Sequence, residues 1–310
     1  MSTLTSPDGT PVSRFAFGTM QFGGKADASA SAAMFEAALG AGITHLDTAH
    51  IYNQGNSEKI LGQLAADRRD SLIIATKVGY ADGTPPEKLR ADFDMSRQRL
   101  GMDVIDILYL HRYDIETPLA DQLDVLAALK DAGQIRYIGL SNFAAWQVMK
   151  AECHLSSLGH RVDIIQPMYN LVKRQAEVEL LPMCASEGIA CAPYSPLGGG
   201  LLTGKYAAGE GGRLTEDDRY AARYAPAFMH EAAQGLKQIA TELGVHPATL
   251  AAAWAARHPA GPMPILSARS AEQLAPSLAA IDFAMDDALY ARLAALAPTP
   301  PPATDRIEDR

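Results

Sequence analysis

LIIATKVGYADGTPPEKLRADFDMSRQRLGMDVIDILYLH (residues 72–111) sets the pattern of the whole chain. It opens on a short, unbroken apolar run, LIIATKV (72–78). PPEKLRADFDMSRQRLG (85–101) follows, with Pro at its start and Gly at its end, the punctuation of a helix. A second unbroken run, IDILYLH (105–111), closes the stretch. Strands that are apolar on both faces are covered on both sides, as in parallel sheets. Each run carries a polar residue at or next to its end, Lys77 and His111.

The same alternation extends in both directions. Strand-like runs are FAFGTM (15–20), ITHLD (43–47), IRYIGLS (135–141), DIIQPMY (163–169), IACAPY (189–194) and MPILS (263–267). Amphipathic segments such as ASAAMFEAALGAG, SEKILGQLAA and PLADQLDVLAALKDAG separate them. Eight strands, each followed by a helix at intervals of roughly thirty residues, predict an α/β fold of the (β/α)8 (TIM) barrel type. A doubly wound sheet shares the alternation. It would want GxGxxG after its first strand, and none is there. Polar residues also recur at strand ends, Asp47, Lys77, His111, Ser141, Asn142, Gln166, Tyr194 and Ser267, as the working face of a barrel requires.

The period breaks once, after strand seven, where LGGGLLTGKYAAGEGGRLTEDDRYAARYAP makes a long Gly-rich insertion followed by helices near 230–244 and 247–258. A loop of that length in a compact domain reads as a lid or ligand clasp. TSPDGTPVSR near the N-terminus reads as a hairpin plugging the barrel bottom. Residues 285–296 give a last helix, and about 298–310 a mobile tail, within one domain spanning 1–310.

Net charge is −9, with Lys and Arg spread thinly, which argues against nucleic-acid and anionic-membrane partners while leaving room for a local phosphate pocket. Three cysteines without a CxxC pair suit a reducing compartment. With no apolar leader and no membrane-length apolar stretch, the chain reads as cytoplasmic.

Singly, the polar strand-end residues have plain explanations: a capping Asp, a solvated Lys, a hydrogen-bonded His, a packing Tyr. Together, Asp47, Tyr52, Lys77 and His111 form a coherent proton-transfer set. Tyr keeps its proton at neutral pH, and a nearby ammonium favours the phenolate and draws its pKa down. A buried Lys needs a counter-charge, for which Asp47 is placed. His111 could orient a substrate oxygen. The set suits a reaction in which an oxygen gains or loses a proton, with no nucleophile.

LDTAHIYNQGNSE (46–58), ATKVG (75–79), LYLHRYD (108–114), IGLSNF (138–143), IIQPMYNL (164–171) and PYSPLGGGLLTGKY (193–206) together resemble the aldo-keto reductase family, in the bacterial branch similar to potassium-channel β-subunits. The resemblance implies a barrel, a nicotinamide cofactor (NADPH, with NADH also possible) bound without a Rossmann domain, and reversible reduction of a small-molecule carbonyl. It implies Tyr52 as general acid/base within the tetrad Asp47, Tyr52, Lys77 and His111. It also implies cofactor positions: Thr19 and Met20 near the nicotinamide, with Asp47; Ser141, Asn142 and Gln166 on the carboxamide; Tyr194 stacked on the ring. Ser195, Pro196, Leu197, Gly199, Gly200 and Lys205 would wrap the pyrophosphate, with Arg213 in reach. Ser267, Arg269, Gln273 and Ser277 would meet the adenosine end. There the family pattern loosens, because Pro276 and Ser277 replace its acidic residue and asparagine.

Phe22, Tyr80, Tyr113 and Met168 are candidates for the substrate pocket. GGLLTGKY (199–206) nearly matches a P-loop, but Tyr206 stands where the magnesium-binding hydroxyl belongs and no helix opens there. The eight histidines include no HxH or HExxH pair, so no metal site is expected. The alternative to an enzyme is a redox-sensing, nicotinamide-binding regulatory protein with little turnover.

Overall fold

The unbroken apolar runs become strands buried along their length. In a computed structural model, which describes residues 4–306 and 308, all six residues of Ile73–Val78 and all six of Ile105–Leu110 are buried. The strands are β1 (Ala16–Gly18), β2 (His45–Asp47), β3 (Ile73–Val78), β4 (Ile105–Leu110), β5 (Ile135–Ser141), β6 (Ile164–Gln166), β7 (Ala190–Cys191) and β8 (Ile265–Leu266). They form one parallel sheet in the order 7-6-5-4-3-2-1-8. The Met263 and Ile265 N–H groups donate to the Cys191 and Pro193 carbonyls at 2.8 and 2.9 Å, so the sheet curls until its last strand meets its seventh. Several strands are shorter than the apolar runs that encode them. Pro167, Pro193 and Pro264 sit at their ends and cannot donate to a ladder.

Helices alternate with the strands: α1 (Ala28–Gly40), α2 (Asn56–Ala65), α3 (Pro86–Leu100), α4 (Leu119–Asp131), α5 (Ala145–Ser157) and α6 (Leu180–Glu187). The connection from β7 to β8 carries α7 (Arg213–Glu216), α8 (Asp218–Arg223), α9 (Ala227–Glu242) and α10 (Pro247–Arg257). After β8 come α11 (Ala271–Leu278) and α12 (Asp287–Ala294). Local chemistry sets the boundaries. Asp27 caps α1 by accepting from the Ala30 N–H at 2.8 Å, and α3 starts on a proline and stops at Gly101, whose φ of 65° is left-handed.

The period of two along each strand sorts the core into two shells. Outward residues such as Phe17, Leu46, Ile74 and Leu108 pack under the helices. The inward set, Ala16, Ile73, Ala75, Ile107, Tyr109, Ile164 and Ala192, fills the curl of the sheet. Gly139 belongs to that interior: a Cβ there would collide with the Tyr109 ring, which lies across the β5 backbone. Residues 4–12 double back beneath the sheet through an antiparallel bridge between Thr5 and Pro11, and buried Leu4 joins the inward cluster. Residues 298–306 contain no helix or strand. Ile307, Asp309 and Arg310, the end of the expected tail, lie outside the described residues. No helix is long and apolar enough to cross a membrane among the described residues.

Candidate active site

At the C-terminal ends of the strands lies a cleft of about 1300 Å³. Its floor is made by side chains that the strand period turns inward. Asp47 ends β2, and Lys77 on β3 reaches across to it, Nζ donating to Asp47 Oδ2 at 2.6 Å and to the Thr48 carbonyl at 2.7 Å. Gln166, at the end of β6, donates from Nε2 to the other oxygen, Asp47 Oδ1, at 2.9 Å. Both carboxylate oxygens and the ammonium are therefore partnered, as a buried ion pair requires. Lys77 is fully enclosed, beneath the cleft rather than on its wall.

Tyr52 stands above this pair, its ring centroid 5.1 Å from Lys77 Nζ. The chain reaches it by running on beside β3, the Thr48 and His50 N–H groups donating to the Ala75 and Lys77 carbonyls. It then turns sharply through Asn53 and Gln54, both at positive φ. Asn53 Nδ2 locks that turn with donations to the Met20 and Phe22 carbonyls, each at 2.8 Å. The ring of His111, which follows β4, lies edge-on to Tyr52 with centroids 6.0 Å apart. The four residues expected to act together do meet at one place.

Burial and charge set their protonation. Burial, and then the Lys77 and Arg112 charges, push the His111 pKa down to about 3, so the imidazole is neutral. Burial acts against the charged form of Lys77, but the Asp47 carboxylate and Tyr52 outweigh it and hold the ammonium above its ordinary value. Burial likewise raises the Tyr52 pKa, and the Lys77 charge offsets this only in part. The sequence argument had the ammonium drawing the phenol down. Desolvation wins instead, so the resting hydroxyl holds its proton firmly.

Along one wall, Asn142 follows β5 at a positive φ of 59°, and Ser195 sits at 60°, conformations uncommon outside glycine. Asn142 Nδ2 donates to the His111 carbonyl at 2.9 Å and its Oδ1 accepts from Tyr194 Oη at 2.7 Å. Ser141 Oγ donates to the Gln166 carbonyl at 3.1 Å. Met20, Ser195, Pro196, Leu197 and Ser267 line the same cleft. So do Gly199 and Gly200, both at positive φ; a Cβ on Gly200 would press into the Lys205 side chain at 2.8 Å. Lys205 and Arg213 are there too, and burial with the Arg269 and Arg213 charges lowers the Lys205 pKa. Cations crowded around open glycine backbone make a seat for an anion.

Arg269 and Gln273 line the far end. Two of the expected cofactor residues do not line the cleft. Thr19 is buried on the outer face of β1's extension, its hydroxyl donating to the Asp47 carbonyl at 3.1 Å and bonded to Ser57. Ser277 is buried with Leu274 on the inner face of α11, while Gln273 and Pro276 face outward to the cleft. Among the substrate candidates, Tyr80 lines the cleft, Phe22 is wholly in the core, Tyr113 packs on Phe143 and Trp146, and Met168 lies against the Tyr224 hydroxyl.

The sequence reading missed a strap. Glu216, on α7, pairs with Arg269 at 2.8 Å and with Lys25 from the β1–α1 loop, tying the β7–β8 connection to both sides of the cleft. It also missed Arg112, Arg219, Tyr220 and Arg223, which line the same cleft. No periodic signal marks residues on helices as short as α7 and α8.

Residues 14–298 match the family model described as the aldo/keto reductase family. Over 298 residues the chain is 32% identical to a probable voltage-gated potassium channel subunit beta of Oryza sativa subsp. japonica, covering 88% of this chain and 89% of that protein. Over 195 residues it is 40% identical to aflatoxin B1 aldehyde reductase member 2 of Rattus norvegicus, covering 61% of this chain and 53% of that protein. Over 321 residues it is 31% identical to the uncharacterized oxidoreductase YrpG of Bacillus subtilis (strain 168), covering 96% of each.

Proposed function

The chain belongs to the aldo/keto reductase family, and from that premise we propose that it reduces aldehydes or ketones to alcohols with NADPH, Tyr52 supplying the proton. The observation that carries the reading is the meeting of Tyr52, Lys77, Asp47 and His111 at the floor of one cleft. A nicotinamide dinucleotide bound in the cleft would supply hydride to the carbonyl carbon. The donor set fits such a group. Gln166 keeps its Oε1 for the carboxamide while Nε2 is held by Asp47, and Ser141 and Asn142 stand beside it. Tyr194 offers a ring to stack on, glycines 199 and 200 with Lys205 and Arg213 would hold the phosphates, and Arg269 with Gln273 would meet the adenosine.

Tyr52 gives its hydroxyl proton to the carbonyl oxygen, which becomes the alcohol, and the phenolate left behind is reprotonated from water. Lys77, fixed by Asp47 and the Thr48 carbonyl, stabilises that phenolate as it forms. His111 stays neutral and would donate from Nε2 to orient the oxygen, since Nδ1 is enclosed without a partner. NADPH consumption over a panel of aldehydes tests the reading. Tyr52→Phe should lower kcat by roughly 10²–10⁴-fold, and equal rates for variant and wild type would sink it.

The relative named as a potassium channel subunit supports a second reading, a cofactor-sensing regulator. That reading predicts tight NADPH binding with negligible turnover on every carbonyl of the panel.

A further inference from the structure

Asp47 and Lys77 belong to strands, whereas Tyr52 lies on a connection, so its place over Lys77 is set by whatever holds that connection. Asn53 ties the turn to the β1–α1 loop through the Met20 and Phe22 carbonyls. A second hold comes from one residue of α3, Arg99. Its Nη1 donates to the His50 carbonyl, two residues before Tyr52, at 2.9 Å, and to Glu58 Oε2 at 3.2 Å. Three residues after Tyr52, the Gly55 backbone lies against the same group. Its φ of 86° is left-handed, and a Cβ there would run into the Arg99 guanidinium. Arg99 therefore meets the Tyr52 segment on both sides of the tyrosine. Ser96, one turn earlier on α3, adds a contact of 3.2 Å between its Oγ and His50 Nδ1.

Glu58 carries the hold across to β3. Its carboxylate is fully enclosed, with Oε1 accepting from Thr76 Oγ1 at 2.7 Å and Oε2 facing Arg99. Thr76 is the residue before Lys77. One buried carboxylate thus joins the guanidinium that grips the Tyr52 segment to the strand that carries the lysine. Burying an ion pair gains little stability by itself, since apolar side chains packed in the same volume do as well or better. What a planar guanidinium adds is fixed N–H directions, which set angle as well as distance. Arg99, Glu58 and His50 are not among the residues lining the cleft.

Resting on the carbonyl reductase reading above, we infer that Arg99, anchored by Glu58, is a positioning residue for the proton transfer: from outside the cleft it holds the Tyr52 segment so that the hydroxyl stays over Lys77 and delivers its proton at a fixed distance and angle.

The test uses Arg99→Gln, Arg99→Lys and the double variant Arg99→Gln with Glu58→Gln, with rates taken per folded molecule. On a small neutral aldehyde at saturating NADPH, single-turnover NADPH oxidation by Arg99→Gln should slow by about 10–10²-fold, the cost of a misplacement of about 1 Å. The aldehyde KM and the NADPH affinity, read by fluorescence titration, should stay within about threefold of wild type, as when an interaction made only in the transition state is lost. Arg99→Lys keeps a cation for Glu58 and a donor for the His50 carbonyl, and should recover part of the rate. The double variant leaves no unpaired buried charge, so it should unfold in urea near wild type and yet be as slow as Arg99→Gln. That combination separates position from folding. A double variant that turns over as fast as wild type overturns the inference and makes the pair a tie between α2 and α3. Failure of all three variants to fold also overturns it, assigning the pair to folding, as does a loss of NADPH affinity that matches the loss of rate. A wild type that reduces no aldehyde with NADPH overturns the reductase reading, and this inference with it.

Discussion

The two ends of the cleft are built on different principles. At the tetrad end, Asp47, Lys77 and Gln166 project from β2, β3 and β6, and their polar atoms are joined by bonds of 2.6 to 2.9 Å. At the α11 end, Arg269, Glu216 and Lys25 come from three separate connections and meet in a half-exposed clasp. One end is fixed before anything binds. The other closes by ion pairs that can part. A long cofactor needs both, since hydride and proton delivery demand sub-ångström placement, whereas entry and release need a gate.

The largest effect that could break this contrast is loss of the central ion pair. Lys77→Met leaves the Asp47 carboxylate buried without its counter-charge, and breaking such a pair costs ~3–5 kcal/mol. Urea unfolding should register that cost together with near-complete loss of turnover. A variant as stable as wild type would mean the tetrad end is no more rigidly founded than the clasp.

Acid should find the same end next. His45, buried two residues before Asp47, has its pKa lowered to about 4 chiefly by burial, and His111 to about 3. Both are neutral in the fold, whereas in the unfolded chain they protonate below about 6.5. The stability held by their neutral forms is therefore present above pH 6.5 and is lost as pH falls towards 4 and 3, at up to ~1.4 kcal/mol per unit of depression for each. His45→Leu should make the fall between pH 6.5 and 4 shallower. An unchanged slope would remove His45 from the account.

Arg269→Gln addresses the other end and should be smaller. A bidentate guanidinium is suited to a 2′-phosphate, so NADPH affinity should drop about tenfold while NADH affinity holds. Equal losses on both dinucleotides would assign Arg269 to the strap alone.

Legibility follows the same division. Asp47, Lys77 and His111 could be read because each closes an apolar run, and strand ends converge on one face of a barrel. Thr19 lies outside the cleft lining for a reason the sequence carries: alternation along 16–20 turns Ala16, Gly18 and Met20 inward and the Thr19 side chain outward. Ser277 is turned from the cleft for a helical reason, sharing with Leu274, three residues before it, the inner face of α11. Glu216, Tyr220 and Arg223 were illegible, because short helices within an irregular connection carry no period to phase them. Resemblance to a family supplied the cofactor roles that periodicity could not.

The smallest predicted effect concerns the clasp. Its hydrogen bonds and ion pairs with Arg269 and Lys25 lower the Glu216 pKa to about 2. A depressed carboxylate contributes its pairing in full above about 4.5 and loses it as pH falls towards 2, so the clasp is undiminished between pH 6.5 and 4.5, where the contribution of neutral His45 and His111 is already falling. Acid therefore loosens the tetrad end before the clasp, and opening the strap at neutral pH takes a substitution or salt. Glu216→Gln should raise both NADPH association and dissociation rates several-fold in stopped-flow fluorescence, with little change in thermal stability, because exposed ion pairs contribute little to folding. Raising ionic strength should bring the wild-type rates towards those of the variant, since screening acts on the same contacts. Should dissociation be equally fast in both proteins at low salt, the pairs would be surface contacts that do not gate the cleft, and its far end would be open at rest.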